Sequence, residues 1–370
     1  MIRILHTIGA MNRAGAETLI MNIYRKIDRE EFQFDFLVHT KEKCDYDDEI
    51  LSLGGKIYCI RSFNGINIIN YKKELHKFFS DHPEHEIIHN HMTSTAFIIS
   101  QQAHKFHRPS VIHTHSKNFY KGTKHLAFSL ASFPLRFVGD YFLACSTEAA
   151  VDTFGKGILD KNNYATLHNA VDLSSFRCTN QEHNILKEKY GLQNHPVFGH
   201  VGRFIPEKNH DFLIDVFLNI KKSLPDAILL LAGKGPLEKT IRDKVRKLNI
   251  ADSVFFIGVT NKVDEFLKVV DVFIFPSINE GLGLAAIEAQ AAGATCVLST
   301  GLPDLASIVS SKKISLNLGP QKWAEISLLA YNHSLLCDRE KSTSKIAERG
   351  FDILDVKEQL ISIYKNLLLP

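Results

Sequence analysis

Apolar and polar positions along this chain follow two alternating rhythms. Ile2 to Ile8 reads as a short strand and Gly9 to Gly15 as a polar loop. From Ala16 or Glu17 to Ile27 the pattern predicts a helix, with Leu19, Ile20, Ile23 and Tyr24 on one face. Phe32 to Val38 then alternates like a strand, completing a strand–loop–helix–strand unit. The unit recurs. Strands are predicted at or near Ile87–Ile88, Val111–Ile112, Tyr141–Ala144, Val197–Val201, Ile228–Ala232, Val254–Gly258 and Val272–Phe275. Helices follow several of them: Thr147 to Phe154 behind a Ser146 cap, a segment with Phe212, Leu213, Val216, Phe217 and Ile220 on one face, and a last one over about Val356 to Leu368. This alternation predicts an α/β protein.

The pattern is densest from Val272 to Thr300. A buried strand ends at Pro276-Ser277, Glu280-Gly281-Leu282-Gly283 forms a loop, and an alanine-rich helix runs from Leu284 to about Ala292. Gly293 can close that helix in the left-handed conformation, and Cys296 to Ser299 resumes a strand. Glycines between strand and helix allow close approach to the backbone, and free N–H groups at a helix start favour an anion. Glu280 and Glu288 bracket this start. Carboxylates do not bind phosphate, so these two fit neutral hydroxyls beside it, such as a ribose diol or a sugar ring. An anion cradle flanked by hydroxyl acceptors describes a sugar-nucleotide site.

Composition narrows the class. A length of 370 residues allows two domains with good cores, and a net charge of +3 is too small to argue for nucleic acid. The six cysteines show no C-x-x-C pair or zinc spacing and read as scattered reduced thiols of a cytosolic protein. The N-terminus has no signal-peptide pattern, and no apolar run reaches the ~18 residues of a membrane span. The expected location is the cytoplasm.

Several clusters invite chemistry. Asp45-Tyr46-Asp47 has D-x-D spacing, but with Asp48 and Glu49 it reads better as an acidic first helical turn. Two strand ends carry H-x-H, at His89/His91 and His113/His115, and alternation sends both members of each pair to one face. Four imidazoles suit a zinc or binuclear site. However, no acidic residue lies between Ile87 and Gly139 to complete it, and no metal is assigned. The same window holds Lys105, Arg108, Lys117, Lys121, Lys124 and Arg136 among Phe119, Tyr120, Phe128, Phe133 and Phe137. This is the composition of an interfacial membrane helix, or of a solvated helix with buried aromatics. Finally, Gly202 to Asn209 links a strand to a helix and places Arg203 and Lys208 at its mouth, where Arg203 can fork onto phosphate oxygens and Lys208 adds a point charge.

Taken in order, Arg13–Glu17, Asn169–Phe176, Val201–His210 and Glu280–Gly293 resemble the retaining GT4-type glycosyltransferases with the E-x7-E signature, and within them the bacterial exopolysaccharide and capsule branch. The resemblance implies the GT-B fold of two facing Rossmann-like domains. Residues 1–180 would form an acceptor-side domain, 181–350 a nucleotide-sugar donor domain, and 351–370 a helix crossing back to the first. It places Gly15 at the donor phosphate, His115 against the donor sugar with His113 supporting, and Gly258 near the nucleobase. It assigns Arg203 and Lys208 to the diphosphate, Glu280 with the backbone of Gly281, Leu282, Gly283 and Leu284 to the donor sugar, and Glu288 to the ribose. Where the common pattern has paired glycines, this chain has Ala14-Gly15, which costs about 1 kcal/mol if position 14 is left-handed. Ala170 likewise replaces a usual glycine.

The expected activity is metal-independent, retaining transfer of a sugar, UDP-linked as is commonest in the family, to a lipid-linked polysaccharide precursor. No cofactor is expected, and residues 117–137 are the expected contact with the inner face of the membrane. Three rivals stay open: a sugar-nucleotide epimerase on the same plan, a metallohydrolase built on the four histidines, and a non-catalytic sugar-nucleotide-binding subunit.

Overall fold

The structure, a computed structural model, describes residues 1–115 and 132–369. It contains two all-parallel sheets. The first has seven strands: β1 (Ile2–Thr7), β2 (Phe32–Val38), β3 (Ile57–Cys59), β4 (His85–Asn90), β5 (Ser110–Thr114), β6 (Tyr141–Ala144) and β7 (Tyr164–Thr166). They lie in the order β3-β2-β1-β4-β5-β6-β7. The second has six: β8 (Val197–Val201), β9 (Ile228–Ala232), β10 (Val254–Gly258), β11 (Val272–Phe275), β12 (Thr295–Ser299) and β13 (Ser311–Ile314). Their order is β10-β9-β8-β11-β12-β13. Each order reverses at the first strand of its sheet, as in a doubly wound fold.

Both faces of each sheet are covered, which explains why the strands read as apolar runs. On one face of the first sheet Ile4, Phe34, Phe36, Ile87 and Val111 pack with Leu19, Ile20 and Ile23 of the helix Gly15–Lys26. Residues one step along each strand, Leu5, Leu37 and Ile88, face the other way onto the helices Ile68–Asp81 and Thr93–His104. In the second sheet Phe273, Phe275, Cys296 and Leu298 share a core with Ala286, Ile287 and Ala289 of the helix Leu284–Ala291. Phe198, Leu229, Leu231 and Ile274 pack instead against the helices His210–Ser223 and Gly319–Ser334.

Two units result, Met1–Ala170 with Ile353–Pro370, and Val171–Asp352. The break falls at Ala170, earlier than the expected position near Asn180. The reason is packing: Leu173 and Phe176 are buried in the core of the second unit, and the Val171 N–H donates to Phe351 O. The helix Ile353–Leu367 belongs with the first unit, where Val356, Leu360, Ile363 and Tyr364 join its core.

The loop after β1 also departs from expectation. Ala14 is extended (φ −138°, ψ 178°), so the missing glycine carries no left-handed cost. Asp45 and Asp47 accept from the backbone N–H groups of Arg13 (3.0 Å) and Cys44 (2.8 Å), which is loop-capping work. Of the segment 117–137, residues 117–131 lie outside the described residues; Phe133 and Phe137 are exposed. Among the described residues no helix is long and apolar enough to cross a membrane.

Gly293 ends the helix Leu284–Ala291 at φ +78°, where a Cβ would stand 2.4 Å from Arg339 Cβ and 2.8 Å from its Cα. We expect Gly293→Ala to destabilise the second unit by about 2–4 kcal/mol, from left-handed strain and overpacking. Gly281→Ala, whose methyl meets nothing within 4 Å, should stay within about 0.5 kcal/mol. Thermal melts of the two variants check this.

Candidate functional site

The crevice at the carboxyl ends of β8 and β11 lies where the second sheet reverses its strand order, the usual place for a ligand in an open α/β sheet. Three hydrogen bonds to main-chain carbonyls shape it. Asn209, left-handed at φ +55°, donates through Nδ2 to Pro276 O (3.2 Å). Ile278 N–H donates to Glu207 O (2.8 Å), and Glu280 N–H to Gly301 O (3.2 Å). Lys208 is carried by the first of these loops and Glu280 by the second, so their side chains meet as an ion pair. With side chains only 20% and 12% exposed, the pair is sheltered from water. The Lys208 ammonium also lies 5.0 Å from the centre of the Phe275 ring.

Beyond Glu280 the backbone carries unused donors. Gly283 is left-handed (φ +79°) and offers no side chain to cap the helix Leu284–Ala291. Ala286 N–H returns to Gly283 O (2.8 Å), but the five successive amides from Gly281 to Ala285 meet no acceptor among the described residues. A Cβ added at Gly281 would meet nothing within 4 Å, so the space beside these donors is open. A run of uncapped N–H groups at a helix start attracts an anion. The carboxyl of Glu288, partly buried in the second turn, has no ion-pair or hydrogen-bond partner among the described residues, and burial pushes it up to about 7.

Arg203 is exposed on the loop after β8, with no acidic partner among the described residues. Its loop is fixed by Gly202 N–H to Ala232 O and Phe204 N–H to Lys234 O, both 3.0 Å. Gly258 (φ +74°) ends β10 and accepts from Gly233 N–H (2.8 Å). Thus Arg203, Lys208, Gly258, Glu280, Gly281, Leu282, Gly283, Leu284 and Glu288 all line the carboxyl edge of one sheet. The Lys208–Glu280 pairing was not legible in the sequence, where the two were assigned to different parts of a ligand.

Gly15 and His115 belong to the first unit. Gly15 opens the helix Gly15–Lys26, and a Cβ there would stand an ordinary 3.8 Å from Asn169 Nδ2. His115 lies just past β5. Burial pushes it down to about 4, a shift opposed by the neighbouring Asn169 side chain. Asn169, which the sequence marks only as the start of the stretch Asn169–Phe176, therefore flanks both positions. All four H-x-H histidines gather, with a fifth that the sequence reading passed over. His6 Nδ1 lies 2.9 Å from His91 Nε2, and His91 Nδ1 lies 2.7 Å from His115 Nε2. The overlooked signal was position: His6 lies one residue before the end of the first strand, which neighbours the fourth in this topology, and sits level with His89.

Residues 182–350 match the family model for glycosyl transferases group 1. The putative glycosyltransferase EpsF of Bacillus subtilis is 30% identical over 98% of this chain and 96% of its own length. A UDP-Gal:α-D-GlcNAc-diphosphoundecaprenol α-1,3-galactosyltransferase of Escherichia coli is 25% identical, over 80% and 79% of the two chains. The crystal structure of Anabaena HepE in complex with UDP superposes with a TM-score of 0.77, covering 99% of this chain and 100% of that one at 14% identity. The shared fold is GT-B, with its two Rossmann-like domains.

The Glu288 shift has a signed consequence. The folded state keeps this proton up to about 7, the unfolded chain only to the ordinary 4.5, so stability is lost as pH rises through that window. Glu288→Gln, which cannot ionise, should leave the melting temperature unchanged relative to the parent at pH 4.5 and raise it at pH 8. Melting curves of both proteins across this range provide the check.

Proposed function

This chain belongs to the group 1 glycosyl transferases, and on that premise we propose that it moves a sugar from UDP to a saccharide acceptor carried on a polyprenyl diphosphate. We further propose that transfer retains the anomeric configuration and needs no metal at the diphosphate. One observation carries the reading: five main-chain amides that meet no acceptor among the described residues, beside the Lys208–Glu280 pair at the switch point of the second sheet. The UDP bound to HepE and the lipid diphosphate in the name of the Escherichia coli relative support the choice of donor and acceptor.

Breaking the anomeric bond leaves negative charge on the departing diphosphate, and stabilising that charge is the main task. The Gly281–Ala285 amides, Lys208 and the exposed Arg203 supply fixed positive ends, which act strongly because they need not reorganise during the reaction. Glu280 would make a hydrogen bond to a sugar hydroxyl, and Lys208 keeps this carboxylate compensated beside a diphosphate. Glu288 would accept from the ribose diol, and His115 and Gly15 are further proposed donor contacts. The bond from the anomeric carbon to the phosphate oxygen breaks as the acceptor oxygen bonds on the same face. The acceptor proton passes to the departing oxygen. A lipid-borne acceptor would draw the enzyme to the inner face of the membrane, with the exposed Phe133 and Phe137 near the contact.

Arg203→Ala should lower the turnover number by about 10²-fold or more with little change in melting temperature. Product analysis by NMR should show the donor's own anomeric configuration, and Mg²⁺ or Mn²⁺ should not raise the rate. Unchanged turnover in Arg203→Ala would remove this side chain from the charge-stabilising set, and an inverted product would remove same-face attack.

A further inference from the structure

The carboxyl edge of the first sheet holds a cluster that the proposed transfer chemistry leaves largely unused. Parallel register sets His6 of β1 level with His89 of β4, and alternation puts His91 on the same face. Their ring centres are 5.1 Å apart for His6 and His89, 5.1 Å for His6 and His91, and 4.2 Å for His89 and His91. One nitrogen from each lies within 4.8 Å of the other two. His6 and His89 are each 1% exposed, while His91 is half-buried, so the triad is closed below and open on one side.

These imidazoles are poorly satisfied as they stand. Among the described residues the Nε2 atoms of His6 and His89 have no hydrogen-bond partner, and a buried polar atom left so costs about 1–3 kcal/mol. Apolar side chains would fill the same volume without that cost, which suggests the lone pairs have a use. His89 is also oriented from outside: its Nδ1 lies 2.5 Å from the Tyr364 hydroxyl, which turns Nε2 toward the cluster. An outer hydrogen bond of this kind is what fixes the tautomer and ring plane of a metal-ligating histidine. A metal ligand is the neutral imidazole, the form that donates a lone pair. The ligand set is imidazole alone. It does not suit Mg²⁺ or Ca²⁺, which need oxygen ligands, and it suits the late first-row divalent ions.

We propose that His6, His89 and His91 bind one late first-row divalent ion, of the Zn²⁺ or Co²⁺ type, with a coordination position left toward solvent. The sequence alone offered four histidines and no completing ligand; His6 supplies it. A second set, His91, His113 and His115, is also within ligand distance and shares His91. The first set is chosen because it has the Tyr364 support and leaves His115 for the donor sugar, a preference that rests on the function proposed above. An ion on His91 Nε2 would replace the present contact of that atom with His6 Nδ1, while His91 would still bond His115 through Nδ1, so metal occupancy would orient the His115 ring.

The test is a titration of the full chain, without a polyhistidine tag and stripped of metal with dipicolinate, using CoCl2 followed by visible absorption. The expected result is the intense spectrum of four-coordinate cobalt saturating at one equivalent. His6→Ala should weaken binding by more than the roughly 10–100-fold that an outer-sphere change costs, whereas His113→Ala should not. A featureless or octahedral aqua spectrum in the parent protein overturns the proposal, as does loss of binding in His113→Ala but not His6→Ala. Should His6→Ala fail to fold, X-ray absorption of the cobalt-loaded parent decides: three imidazole scatterers support the site, and an all-oxygen shell contradicts it. Because metal binding is read without any sugar donor, its failure leaves the transferase reading intact.

Discussion

Everything at the candidate site depends on a helix start that the protein itself does not cap. Among the described residues, the five successive amides from Gly281 to Ala285 meet no acceptor, and Gly283 in the left-handed region keeps the turn free of a side chain that would fill the gap. Such an arrangement is costly in isolation and stable only if surrounding structure holds it. Here the holding is done by Asn209 to Pro276, Ile278 to Glu207 and Glu280 to Gly301, which tie the loops after β8, β11 and β12 together. The Lys208–Glu280 pair sits on that frame. Its value is one of placement, since a sheltered ion pair adds little net stability but fixes where a cation and an acceptor stand.

The architecture was legible because it depends on short-range pattern. Buried parallel strands read as apolar runs, the helices between them read by their one-sided faces, and Gly293 marked a helix end by chemistry that only glycine satisfies cheaply. Site residues close to one another in sequence, Glu280 to Glu288, could be grouped for the same reason. What escaped were relations across the sheet. His6 became meaningful only when strand order set β1 beside β4, and Lys208 met Glu280 only because β8 adjoins β11. The unit boundary moved to Ala170 because Leu173 and Phe176 had no visible destination in the sequence. Ala14 was weighed against a left-handed conformation that its loop does not adopt.

The two units place different chemistry at equivalent edges of similar sheets. In the second, cations and backbone donors converge where a diphosphate would sit. In the first, imidazoles and Asn169 converge. The helix Ile353–Leu367 ties the chain's end into the first unit, and through Tyr364 it reaches His89 at that edge. A C-terminal helix that merely covered a core would not need a hydroxyl there.

The central claim, that an anionic diphosphate occupies the uncapped amides of the second unit, is tested most directly by hydrogen–deuterium exchange with and without UDP. The account predicts slowed exchange in peptides spanning residues 278–288, with a smaller effect over 203–209, and none at the opposite, amino-terminal edge of that sheet. Saturating UDP that leaves residues 281–285 exchanging at their free rate, while protecting another surface, would contradict it.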